Sequence, residues 1–165
     1  MSWIKGLYAK RALMLKASVT SLAIFMFLFL GGVRTANAQA IAEGFESFAA
    51  LAAAGWSTSN RSQPIGAGAW SQCGGTAIPP AQAGPATSCT LVNFSSGTGT
   101  ATISNWLITP NRTFNNGDTV SFWTRTANNN FPDRLQLRLS LAGASTNVGT
   151  TATDVGDFTQ LLVDI

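Results

Sequence analysis

The sequence predicts an all-β fold, a sandwich of short strands, and three observations predict it. No long amphipathic helical pattern follows residue 38, strand-like runs recur between turn signals, and the chain is rich in Thr, Ser, Asn and Gly while carrying little charge. Thr and Ser suit the wet face of a strand, and seven Phe and four Trp after residue 38 give the chain apolar bulk to bury, so disorder is not expected.

Residues 1–38 read as a secretory signal peptide. Lys5, Lys10, Arg11 and Lys16 precede an uncharged run from Ala17 to Val33, and Ala36-Asn37-Ala38 supplies the small-x-small pattern of a cleavage site. An uncleaved membrane anchor is the alternative, because the run approaches the roughly 18 apolar residues that span a bilayer. Gly31, Gly32 and the cleavage pattern favour removal. The expected protein is therefore exported across the inner membrane of a bacterium, secreted or held at the cell surface, with no membrane span after cleavage.

Cleavage changes the charge. The whole chain has a formal net charge of +3, but five of its ten basic residues leave with the leader, so residues 39–165 keep five Arg against seven Asp and Glu, a net charge of −2. No basic patch remains of the kind that binds nucleic acid, and none is expected as a partner. The 127 residues of 39–165 suffice for one domain.

The first strand is expected at Phe45 to Phe48, followed by a helical turn or two over Phe48 to Ala54, which Gly55 stops. Trp56 to Ser59 and Thr90 to Phe94 read as strands on either side of a long loop, Ser62 to Ala86, that is rich in Gly, Pro and Ala. Thr102 to Thr109 and Thr119 to Thr126 read as two more strands, separated by Pro110 and by the turn residues Asn116-Gly117-Asp118. Arg134 to Leu141 has Leu at every second position and gives the clearest period of two. Phe158 to Ile165 reads as the last strand. Because the sequence ends inside that apolar run, the expectation is an N-terminal part of a sandwich that further strands complete.

Cys73 and Cys89 fall in the exported part with 15 residues between them. An oxidising compartment favours one disulfide, which would contribute about 3 kcal/mol for a loop of that size. Two reduced thiols and a metal pair are the alternatives, although two Cys without His cannot complete a zinc site alone.

Enzymatic chemistry is not expected. The chain has no His, which excludes Ser-His-Asp and Cys-His sites, and residues 39–165 have no Lys, which excludes Ser-Lys and Schiff-base chemistry. Paired carboxylates from Glu43, Glu46, Asp133, Asp154 or Asp157 are the formal remainder. Arg125, Arg134 and Arg138 read as solvated charges or as forks that fix strand register on Asp partners. Trp56, Trp70, Trp106 and Trp123 offer flat faces for stacking on sugar rings, but a Trp in a small sandwich is also a core residue by its size. Trp106, beside Leu107 and Ile108, reads as core. Trp70, in the Gly-rich loop, is the candidate ligand-binding platform.

Several ordered blocks carry a resemblance. Gly44-Phe45-Glu46-Ser47-Phe48, Ala54-Gly55-Trp56-Ser57, Gly68-Ala69-Trp70-Ser71-Gln72, Ile103-Ser104-Asn105-Trp106-Leu107-Ile108-Thr109-Pro110, Asn116-Gly117-Asp118-Thr119-Val120-Ser121-Phe122-Trp123-Thr124-Arg125-Thr126 and Phe131-Pro132-Asp133-Arg134-Leu135-Gln136-Leu137 follow one another in order. Together they resemble the bacterial choice-of-anchor J domain, which is similar to cleaved-adhesin and MAM-type jelly rolls, over residues 41–165. The resemblance implies a jelly-roll β-sandwich and commonly a downstream PEP-CTERM sorting segment, which does not occur in this sequence. The Cys73 and Cys89 pair departs from the family pattern and would be a local staple. No cofactor is required, but related jelly rolls hold a structural calcium near the first strand, and Glu46 matches that block. The alternative reading of Glu46 is an exposed strand residue or an Arg partner. The expected function is a non-catalytic surface or matrix module, adhesion-like, with an extracellular glycan or matrix component as its partner. The alternative is an accessory domain of an extracellular hydrolase.

Overall fold

The computed structural model describes residues 41–74, 80–126 and 133–165, and it is all-β. The signal peptide expected at residues 1–38 lies outside the described residues. Among those described, no helix is long and apolar enough to cross a membrane. Among the described residues, 41–112 and 122–165 belong to one compact unit, and 113–121 fall outside it.

Among the described residues eight strands pair two by two, all antiparallel. They are β1 (Ser57–Asn60), β2 (Gln63–Ile65), β3 (Ser71–Gln72), β4 (Thr90–Leu91), β5 (Gly97–Thr102), β6 (Asn105–Ile108), β7 (Gln136–Leu139) and β8 (Gln160–Asp164). β1 pairs with β6, β2 with β5, and β3 with β4. This nesting makes residues 57–72 run antiparallel to residues 90–108 as one interrupted ribbon. Ser57 faces Ile108 and Asn60 faces Asn105 in one register. Beyond a shift between Gln63 and Ile65, a second register pairs Ile65 with Gly97 and Gln72 with Thr90. Pro64 occupies the point of the shift, where a residue with no N–H to give to a ladder is tolerated.

β7 and β8 make a second ribbon. Its pairing of Gln136 with Asp164 and Leu139 with Gln160 contains a shift between Leu137 and Arg138. The ribbons meet where the Trp106 and Phe158 rings lie 5.5 Å apart, and the Ala152 N–H donates to Gln63 Oε1 at 3.2 Å.

Burial is thin. Among the described residues the buried apolar side chains are Leu51, Cys73, Ile108 and Val148, and the buried polar ones Ser62, Ser88 and Ser96. Two-stranded ribbons are marginal on their own in water, so contacts that tie one ribbon to another, or close one end, carry disproportionate weight here. Two facing sheets are not resolved among the described residues.

Four expectations are corrected. Phe45 to Phe48 is not a strand: Phe45 has φ +55°, outside the extended region, and Phe48–Ala50 begins a 3-10 turn that ends at Gly55, φ +86°. Helicity over 48–54 is thus limited to that turn and the bends after it. Thr119 to Thr126 forms no strand, because a period of two fixes which face each side chain takes, whereas a ladder needs a neighbouring strand at the right height. The Ser62 to Ala86 segment is not all loop: it contains β2 and β3, short strands paired through the backbone and set among Gly- and Pro-rich residues. Thr102 to Thr109 splits between the end of β5 and β6. The turn at Asn116-Gly117-Asp118 is present, closed by Asn115 N–H on Asp118 Oδ2 at 2.7 Å, with Gly117 at φ +99°.

Candidate functional site

The first ribbon is closed at one end by chemistry the sequence places there. Cys73 and Cys89 continue the register of β3 and β4, and the Cys73 N–H donates to the Cys89 carbonyl at 3.0 Å. Their Cα atoms are 5.3 Å apart, close to the separation of about 5.5 Å in a hydrogen-bonded antiparallel pair. They form a disulfide.

Gln72, one residue before, holds three segments together. Its Oε1 accepts from the Phe48 N–H at 2.5 Å. Its Nε2 donates to the Phe45 carbonyl at 2.7 Å and to the carbonyls of Thr87 and Cys89. A primary amide has two N–H bonds, so three acceptors share two protons. Phe45, whose backbone Gln72 grips, sets its ring edge-on to Trp56 with centroids 5.5 Å apart.

Trp70 is half-buried, and its indole Nε1 is shielded from solvent without a hydrogen-bond partner. Its ring therefore presents only part of its face. The more exposed aromatic rings are Phe94, 83% exposed, and Trp123, 63% exposed.

Glu46 is exposed, and its carboxylate folds back over Gly44, where an added Cβ would collide with it. Among the described residues no three His, Cys, Asp or Glu side chains come together as a metal cluster.

Arg134 and Asp164 form the fork that the charged residues near β7 offered. Arg134 Nε donates to Asp164 Oδ1 at 2.7 Å and Nη2 to Oδ2. The hydrogen bond from Arg134 holds the Asp164 carboxyl below its ordinary range, and Asp164 in turn raises the guanidinium. The fork ties the open end of β7 and β8, where Leu135 and Ile165 exchange both backbone hydrogen bonds. Arg134 is well exposed, so the pair fixes register more than it stabilises.

The loop joining β7 to β8 is organised by carboxylates that accept locally. Asp154 Oδ2 takes the N–H groups of Thr150 and Thr151, each at 2.8 Å, and Asp157 takes the Ser145 hydroxyl at 2.6 Å. Gly149, φ +85°, sits so close to Asp154 that a Cβ there would overlap it, and neighbouring Val148 is 0% exposed. The Thr150 and Thr151 backbone donors hold the Asp154 carboxyl at about 2, below its ordinary 3.8. A depressed carboxylate stabilises the fold above the unfolded value and loses that effect as pH falls through the folded one. Acid titration of thermal stability is therefore expected to steepen between about 3.8 and about 2, and Asp154→Asn to flatten that limb. An unchanged limb in the variant would remove Asp154 from the loop's support.

Two residues of this region were not legible as functional. Gln72 lacks a motif of its own; its only signal is its place beside Cys73. Phe94 reads as the end of a strand, although Asn93 before Ser95 carries a capping signal.

No family model, curated protein or solved structure matches the chain.

Proposed function

We propose that the protein is an exported, non-catalytic surface or matrix module of the choice-of-anchor J kind, adhesion-like, binding an extracellular glycan. One observation carries the reading: from Ser62 to Asn111 the sequence has no Asp, Glu, Lys or Arg, and this span supplies β2 to β6. A surface with neither general acids and bases nor charge for steering suits recognition of uncharged, hydroxylated matter better than turnover or nucleic-acid binding.

The fold assigned is a jelly-roll β-sandwich. Nested pairing of residues 57–72 against 90–108 supports it, because a jelly roll is a long antiparallel ribbon wound into two sheets. The leader and the disulfide support secretion.

The test is retention of the purified exported chain on immobilised glycans and matrix polymers, with its amino terminus read by mass spectrometry. Retention together with a terminus near Gln39 is expected. A protein intact from Met1, or one retained by nothing on the panel, would overturn the assignment. Glu46 is the proposed calcium ligand, and the expected result is a calcium-dependent rise in melting temperature that Glu46→Gln abolishes. Equal shifts in both proteins would remove Glu46 from that role.

A further inference from the structure

We propose that Phe94, on the rigid turn between β4 and β5, is a stacking platform for a neutral saccharide. The proposal rests on the glycan-binding reading above and moves its centre away from Trp70.

Three observations carry it. Phe94 is the most exposed large apolar side chain among the described residues, at 83%. A ring so exposed keeps its apolar faces in water at no benefit to the fold, and covering it with a ligand recovers that cost.

Its backbone, by contrast, is tightly held. Phe94 opens a 3-10 turn, Phe94–Ser96, whose preceding residue Asn93 accepts the Ser95 N–H on its side-chain oxygen at 2.9 Å. Two residues on, Ser96 is fully buried, with its hydroxyl on the Asn93 carbonyl. The Ser96 carbonyl takes the Gly66 N–H and the Asn60 amide, both at 2.8 Å, and the Ser95 carbonyl takes the Gly68 N–H at 2.8 Å. Gly66 lies so near Ser95 and Gly97 that no Cβ fits there, so two backbones meet face to face beneath the turn. The ring stands on a fixed base, which lowers the ordering cost of binding.

The surroundings define the ligand. Asn93 and Ser95, the exposed neighbours of Phe94 in sequence, carry amide and hydroxyl groups, the Ser95 hydroxyl donating to Asn93 Oδ1. Ile65, also exposed, lies opposite Gly97 in the ladder. The nearest charged residue before the turn in sequence is Arg61, and after it Arg112. An aromatic face bordered by neutral hydrogen-bonding groups matches a pyranose ring, which has an apolar C–H face and a rim of hydroxyls. A sulfated or uronic polymer would call for guanidinium groups on the turn itself, and the turn's own residues, Asn93 to Ser96, are neutral.

The experiment is binding of the exported chain to an array of neutral and anionic oligosaccharides, with Phe94→Ala, Phe94→Trp and Trp70→Ala beside the wild type. Wild type is expected to bind neutral members. Phe94→Ala should lose affinity by about tenfold or more, as truncation of an aromatic anchor does. Phe94→Trp should keep it, and the melting temperatures of both variants should match the wild type. Neutral binding by wild type that Phe94→Ala leaves intact, or that Trp70→Ala alone removes, would overturn the Phe94 site while leaving the glycan reading standing. Binding confined to anionic members would overturn the ligand class. No binding by wild type would overturn both. If Phe94→Ala also lowers the melting temperature, Phe94→Trp decides: restored binding supports the platform, and failure to restore it overturns the site.

Discussion

Replacing both Cys73 and Cys89 by Ser is expected to lower the unfolding free energy by about 3 kcal/mol, from the entropy that a closed loop of this length denies to the unfolded chain. That corresponds to a fall in melting temperature of roughly 10 °C for a domain of this size. The effect is large because the bridge ends a ribbon that has little else at that end. Cys73 is itself one of the few buried apolar groups, and the loop from Gly74 to Ser88 contributes no strand among its described residues. Calorimetry of the double variant against wild type, with and without a dithiol reductant, checks this. Reductant should shift wild type onto the variant's curve and leave the variant unmoved. Coincident melting of wild type and variant in the absence of reductant would refute it.

Gln72→Ala carries the second large effect, a loss of about 2 to 4 kcal/mol, since it strands the Phe48 N–H and the carbonyls that Nε2 serves in a half-buried place. Gln72→Glu is more telling. A carboxylate can still accept from Phe48, but it cannot donate, and it sets negative charge against the carbonyls of Phe45, Thr87 and Cys89. The ordering expected by denaturant titration is wild type, then Ala, then Glu. A Glu variant as stable as wild type would show that the donor side of the amide contributes nothing. Because Gln72 and Cys73 serve the same end of the ribbon, Gln72→Ala in the serine double variant should cost less than it does alone.

The all-β class, the turn at Asn116-Gly117-Asp118 and the two cysteines as partners were legible in sequence. Each depends on local signals: φ preference, side-chain period, and thiol chemistry in an exported chain. Strand pairing was less so. The Leu135, Leu137, Leu139 alternation identified β7, yet nothing in it named β8 as its neighbour. β2, with Pro64, and β5, with Gly97 and Gly99, look like loop by composition, because their pairing is made by backbone groups that composition does not report. Thr119 to Thr126 shows the reverse, a fitting pattern outside any strand. At the candidate site, the Gly-rich neighbours of Trp70 suggest an exposed loop, but the same glycines bring two backbones into contact and leave the more exposed ring at Phe94.

In the first ribbon a slip of either strand would still leave β2 and β5 with backbone partners, since the Gly, Ala and Thr residues of β5 scarcely distinguish one alignment from the next. Cys73 and Cys89, however, face each other only in the alignment that pairs Gln72 with Thr90. Oxidation thus acts as a proofreading step: misaligned ribbons keep two thiols within reach of exchange, and the correctly threaded one is sealed.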